Sequence, residues 1–200
     1  MKYYIKLGLI LFVITAIASG ILAFLNGKTQ PIIEENQVQA QINARLDVLS
    51  AAGFFVEDSI KIAKKQDANP LKIQKEVSEN WFKYFRGFDA DSLLIGYTFV
   101  ASLYGYSSEV QTMVGVDTNL VVKKIKIISQ AETPGLGANC VKEDFQKQFD
   151  GKSEKQLAVD KDGGEIESIT GATITTRTIA NSIKIGLNHL SKSVEIEEVD

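Results

Sequence analysis

Glu167-Ser168-Ile169-Thr170-Gly171-Ala172-Thr173-Ile174-Thr175 reads as a passage from strand to helix. A β-prone run ends, small residues make a tight connection, and a helical period begins. Gly171 lets the backbone turn or approach a ligand closely, and Ala172 keeps side-chain bulk away. Thr170 or Thr173 can cap the helix. From Thr173 onward, Ile179, Ile183, Leu187 and Leu190 recur at spacings of four, four and three, so one face is apolar. Lys192 and Ser193 suit the end of this helix, and the acidic tail 194–200 is expected to fray. Unpaired N–H groups of a first helical turn, with the positive end of the dipole, attract phosphate. The Thr173 hydroxyl faces the same space, so the passage offers a phosphate seat and an oxygen that could be esterified. Taken alone, these residues read as plain N-capping in preference to a phosphate site, because the motif is too short to bear more weight unaided. Thr175, Thr176 and Thr178 read as helix-surface threonines, with help to a phosphate as the alternative.

Upstream, Gln156–Asp160 and Glu165–Ile169 flank Asp162-Gly163-Gly164, a hairpin signal. Leu93–Leu103, Val110–Val116 and Leu120–Ile128 are rich in β-formers, and Asp117-Thr118-Asn119 marks a turn, so an antiparallel meander is predicted. Before Leu93 the reading is helical. Pro31 closes a juxtamembrane stretch, and Val38, Ile42, Leu46 and Leu49 predict a helix over Glu34–Ala52, stopped by Gly53. A second helix is expected over Asp58–Lys65. A third should open at Pro70 and run to Phe85, with Ile73, Val77, Trp81 and Phe85 on one face. Trp81, Phe82, Tyr84 and Phe85 are read as core packing in preference to a cofactor-stacking platform.

Leu7–Leu25 is a run of 19 residues without a charge. As a helix it rises about 28 Å, close to the hydrocarbon thickness of a bilayer. Lys2 and Lys6 precede it, which favours the N-terminus inside and the following domain outside the cytoplasm. A cleaved signal peptide is the rival, but the apolar run continues past the small residues Ala16–Gly20 through Leu25. The rest of the chain carries a net charge of −5, which argues against a nucleic-acid footprint. One cysteine, Cys140, and one histidine, His189, exclude an internal disulfide, a structural zinc site, a four-cysteine iron–sulfur cluster and a c-type haem site. Cys140 is read as packing. The fold class is α+β: an N-terminal transmembrane helix, further helices, then an antiparallel sheet closed by a C-terminal helix.

Glu132-Thr133-Pro134-Gly135-Leu136-Gly137 follows the last strand of the meander. Pro134 fixes φ, Gly135 and Gly137 permit close approach, and Leu136 could lie against a flat ring. A dinucleotide fingerprint is rejected here, because Cys140 stands where the third glycine belongs and no βαβ unit surrounds the run. Glu132 is either part of a ligand frame or a solvated loop residue. Thr170-Gly171-Ala172-Thr173, the Glu-Thr-Pro-Gly-Leu-Gly run that begins 38 positions earlier and the single apolar helix together resemble the G subunit of the Rnf electron-transport complex. The C subunit of the sodium-translocating NADH:quinone reductase is a relative of it. Gly105-Tyr106-Ser107 and Val114-Gly115-Val116-Asp117 also fit that family's FMN-binding domain.

The resemblance implies FMN joined by a phosphoester bond to Thr173, with Glu167, Thr170, Gly171 and Ala172 completing the attachment motif. Glu167 stands where the family pattern has Asp. It further implies that Glu132–Gly137 frame the ring, and that a separate flavin transferase loads the cofactor. The expected organisation is 1–28 as cytoplasmic N-terminus and anchor, 29–92 as a helical juxtamembrane region, 93–193 as the FMN-binding domain and 194–200 as tail. The implied role is electron transfer, within a membrane redox complex that links ferredoxin and NAD to an ion gradient. The place is the bacterial inner membrane, with the C-terminal domain extracytoplasmic. A non-covalent flavin or small-ligand module and a cofactor-free assembly subunit are the alternatives.

Overall fold

The computed structural model describes residues 2–61 and 81–197. The chain divides into two units, Met1–Ile42 and Asn43–Asp200. The first unit belongs to a single helix, α1 (Lys2–Val48), whose C-terminal turns enter the second. The apolar stretch of α1 is long and apolar enough to cross a membrane, with mean hydropathy 2.6 and none of that stretch buried. Pro31 lies inside α1 and does not end a segment before it. Proline removes one N–H and crowds the carbonyl four residues back, here that of Gly27, at a cost of about 3 kcal/mol. The helix nevertheless continues, so the break expected at Pro31 is corrected.

In the second unit five strands form an antiparallel meander in chain order: β1 (Phe54–Lys61), β2 (Trp81–Phe88), β3 (Leu94–Tyr104), β4 (Glu109–Val116) and β5 (Val122–Ser129). A short helix α2 (Glu143–Gln146) and several 3₁₀ turns follow, and α3 (Thr173–Glu197) closes the fold. The β3–β5 meander lies where the β-formers place it. The helices expected at Asp58–Lys65 and up to Phe85 are corrected: Asp58–Lys61 lies in β1 and Trp81–Phe85 in β2, paired so that Asp58 faces Tyr84. The aromatic and β-branched residues concentrated in both segments suit a pleated pair, and the helical spacing read there was a coincidence of period. Pro70, Ile73 and Val77 lie outside the described residues. Of the four aromatics read as core, Tyr84 is buried and Phe82 packs beside it, but Trp81 is half exposed and the Phe85 ring lies 3.3 Å from the Arg45 guanidinium.

The sheet is covered on both faces at its centre, which is why β3 and β4 read as nearly continuous buried runs. On one face Ala44 and Val48 of α1 pack on Met113, Val100 and Ile128. On the other, Ile179, Ile183, Leu187 and Leu190 of α3 meet Phe99, Val114 and Ile125. Burying each such side chain contributes about 1.5–3 kcal/mol. Gly186 permits the close approach, since a Cβ there would overlap the Phe99 ring.

The hairpin expected around Asp162-Gly163-Gly164 does not form. Asp160–Asp162 is a 3₁₀ turn ended by Gly163 at φ 79°, and the only pairing nearby is an isolated parallel bridge between Val159 and Ile166. This irregular segment carries the chain back beneath α3, and the helix continues past Ser193 to Glu197.

Candidate functional site

The Glu132–Gly137 loop leaves β5 and crosses in front of the first turn of α3. Between them lies a cavity of about 560 Å³, lined by Tyr106, Glu132, Thr133, Leu136, Gly137, Gly171, Ala172, Thr173, Ile174 and Thr175. The sequence-predicted residues thus separate into two groups. Thr173, Gly171, Ala172, Glu132, Thr133, Leu136 and Gly137 share the cavity. Gly135, Thr170 and Glu167 line an adjoining open groove with Lys142, Phe145 and Gln148, and Leu136 stands between the two spaces. Pro134 lines neither.

Glu132 is not a solvated loop residue, being only 4% exposed. Its carboxylate accepts the backbone N–H groups of Ser107 at 2.9 Å, Ser108 at 3.0 Å and Tyr106 at 3.2 Å. It also accepts the Thr175 hydroxyl at 2.5 Å and, weakly, that of Ser108 at 3.4 Å. Burial alone would push this carboxyl up, but the donations from Thr175, Ser107, Ser108 and Tyr106 outweigh it and hold the group below its ordinary value of 4.5. One side chain thereby ties the Gly105–Ser108 turn to α3 across the cavity.

The attachment-like loop is held from outside itself. The Gln148 side-chain oxygen accepts the Glu167 N–H at 2.7 Å, and Asp160 accepts both the N–H of Ser168, at 3.1 Å, and its hydroxyl. The Thr176 hydroxyl oxygen accepts the Ile169 N–H at 3.1 Å and donates to the Ala172 carbonyl at 3.2 Å. Gly171 turns the chain with φ 75°, in the left-handed region that glycine adopts freely. The N–H of Ala172 bonds back to Ile169 at 2.8 Å, and α3 begins.

Four threonines of that first stretch therefore have four settings. Thr175 is buried against Glu132, and Thr176 is buried as the fastener of the preceding loop. Thr178 donates to the Tyr104 carbonyl at 3.3 Å. The surface reading of Thr175 and Thr176 is corrected, because neither is exposed and each hydroxyl has a structural bond. Thr173 is half-buried and lines the cavity, and among the described residues no hydrogen bond engages its hydroxyl. The N–H groups of Thr173, Ile174 and Thr175 precede the first intrahelical bond, which runs from Thr176 to Ala172. They supply the anion-binding end of a 25-residue helix.

Tyr106 and Ile174 are cavity residues that motif reading did not single out as site residues. Tyr106 belongs with Gly105 and Ser107 to the resemblance and Ile174 is the neighbour of Thr173, but neither fact assigns a role at the site. Cys140 is fully buried outside this lining, its thiol pushed up to about 11 by burial and by the Glu132 charge, which agrees with a packing role.

Residues 105–188 match the FMN-binding domain family. The chain is 36% identical to the G subunit of the Na(+)-translocating ferredoxin:NAD(+) oxidoreductase complex of Acetobacterium woodii, over 93% of this chain and 91% of that one. It is 25% identical to the G subunit of an ion-translocating oxidoreductase complex of Methanosarcina acetivorans, over 95% and 96% of the two chains. The crystal structure of NqrC from Shewanella oneidensis superposes with a TM-score of 0.56 at 18% identity, covering 78% of this chain and 99% of that one, and shares the fold.

Proposed function

The chain belongs to the family of G subunits of ion-translocating oxidoreductase complexes, and from that premise we propose that it is a membrane-anchored electron-transfer subunit with FMN joined by a phosphoester bond to Thr173. The observation that carries the attachment is that Thr173 lines the cavity at the N-terminus of α3 with a hydroxyl that no hydrogen bond engages among the described residues. The hydroxyls of Thr175, Thr176 and Thr178 already have bonds and Thr170 lines the adjoining groove, while Thr133, which also lines the cavity, sits on the loop after β5 with its hydroxyl 3.5 Å from that of Ser107; this favours Thr173, at the helix N-terminus, for esterification.

The residues present fit the group. Three unbonded amides stand beside the Thr173 hydroxyl to receive phosphate oxygens. Leu136, Ile174 and Tyr106 give the cavity an apolar, partly exposed wall that a flat ring can cover. A Cβ at Gly171 would come within 3.0 Å of Leu136, and one at Gly137 within 2.7 Å of the Thr175 hydroxyl, so side chains there would crowd the space. Bound FMN supplies the redox chemistry, accepting and releasing electrons. The protein's part is to hold the phosphate on amides, keep the ring against the Glu132–Gly137 loop, and prevent loss of the cofactor.

In this reading α1 anchors the subunit through 7–25, with the N-terminus in the cytoplasm and the flavin domain outside the inner membrane. Other subunits of the complex exchange electrons with it, linking ferredoxin and NAD to an ion gradient, and a flavin transferase performs the loading. The helix N-terminus and the free hydroxyl support covalent attachment. Glu167 in place of Asp, exposed in the groove, supports the non-covalent alternative. Denaturing the purified, flavin-loaded full chain separates them: bound flavin stays with the polypeptide in the first case and passes into the filtrate in the second.

A further inference from the structure

Among the described residues lining the cavity Glu132 is the only carboxylate, and no lysine, arginine or histidine joins it there. All the bonds it accepts come from neutral donors, the amides of Tyr106, Ser107 and Ser108 and the hydroxyls of Ser108 and Thr175. Among the described residues no cation forms an ion pair with it. Amide and hydroxyl donors stabilise the ionised carboxylate without cancelling its charge. The wall therefore carries one fixed negative charge that is shielded from water.

Resting on the FMN reading, we propose that Glu132 lowers the reduction potential of the flavin held in this cavity. When an electrode supplies two electrons and solvent supplies one proton, the cofactor gains one net negative charge. A like charge on the wall opposes that gain, the more so where water is excluded. Glu132 acts in this way in addition to fastening the cavity, and the two roles are separable.

Glu132→Gln keeps the shape and removes the charge. Its side-chain oxygen can keep the Ser107 and Ser108 amides, while its NH₂ group faces the Thr175 hydroxyl, which can turn to accept. Only the long Tyr106 bond at 3.2 Å loses its acceptor. Glu132→Asp keeps the charge and shortens the arm. Spectroelectrochemical titration of the FMN-loaded full chain should give a higher midpoint potential for Glu132→Gln than for the wild type. Glu132→Asp should stay nearer the wild type, although both variants melt lower. A folded, loaded Glu132→Gln with an unchanged or lower potential would overturn the proposal, as would equal shifts in the two variants. If Glu132→Gln does not fold, Thr175→Val decides at neutral pH: the three amides keep the carboxylate ionised and its field loses the opposing hydroxyl dipole, so the potential should fall. An unchanged or raised value there overturns the idea. Wild-type protein lacking flavin absorbance overturns the FMN reading with it, and is told apart before any potential is measured.

Discussion

The Glu132–Gly137 loop carries its own fastening, a buried carboxylate that gathers three amides and a hydroxyl from two other parts of the chain. The Glu167–Ala172 loop carries no buried acid of its own: Glu167 is exposed, the Ser168 hydroxyl donates outward to Asp160, and Gln148, Asp160 and Thr176 hold its backbone from outside. The first loop forms a stiff wall. The second is clamped on the side away from the cavity, which leaves the Thr173 hydroxyl and the first amides of α3 free. A site that must accept a phosphate needs unpaired donors, and here side chains hold the N–H groups of Glu167, Ser168 and Ile169 while those of Thr173, Ile174 and Thr175 have no partner among the described residues.

Removing the internal fastening should have the largest effect. Glu132→Ala leaves three backbone donors and the Thr175 hydroxyl without their acceptor, and denaturant unfolding of the full chain in detergent should show a loss of about 3 kcal/mol. The same group sets a pH dependence. Its folded value is depressed, so its contribution is fully present above the ordinary carboxylate value of 4.5 and is lost as pH falls through the folded value. Melting temperature in that acid range should therefore drop more steeply for the wild type than for Glu132→Gln. Removing one external clamp should matter less: Gln148→Ala is expected to cost about 1 kcal/mol, read in the same unfolding experiment. Glu167→Gln should change stability by less than about 0.5 kcal/mol, because the exposed acid holds no part of the loop. A large loss there would erase the distinction between the two loops.

Local chemistry made much of this visible in the sequence. The period of Ile179, Ile183, Leu187 and Leu190 specifies the buried face of α3, and the β-branched runs specify β3 to β5. Gly171 before Thr173 announces a tight entry to a helix. What escaped is non-local. Glu132 meets Tyr106 and Thr175 across 26 and 43 positions, and no spacing rule links them. Asp58–Lys61 and Trp81–Phe85 become strands because each pairs with the other and β2 then pairs with β3, a tertiary choice that overrides a weak helical period. The Asp162-Gly163-Gly164 turn was legible as a turn, but the flanking residues return in parallel through a single bridge. Pro31 failed as a stop because α1 continues for many turns on both sides of it, which outweighs the loss of one bond.

Covalent attachment at Thr173 is tested most directly by the mass of the full chain purified after co-expression with a flavin transferase. Intact-protein and peptide mass spectrometry under denaturing conditions should find one FMN phosphoester on the peptide containing Thr173, absent in Thr173→Ala and in protein made without the transferase. A fully loaded Thr173→Ala, or a wild-type chain of unmodified mass under those conditions, would contradict it.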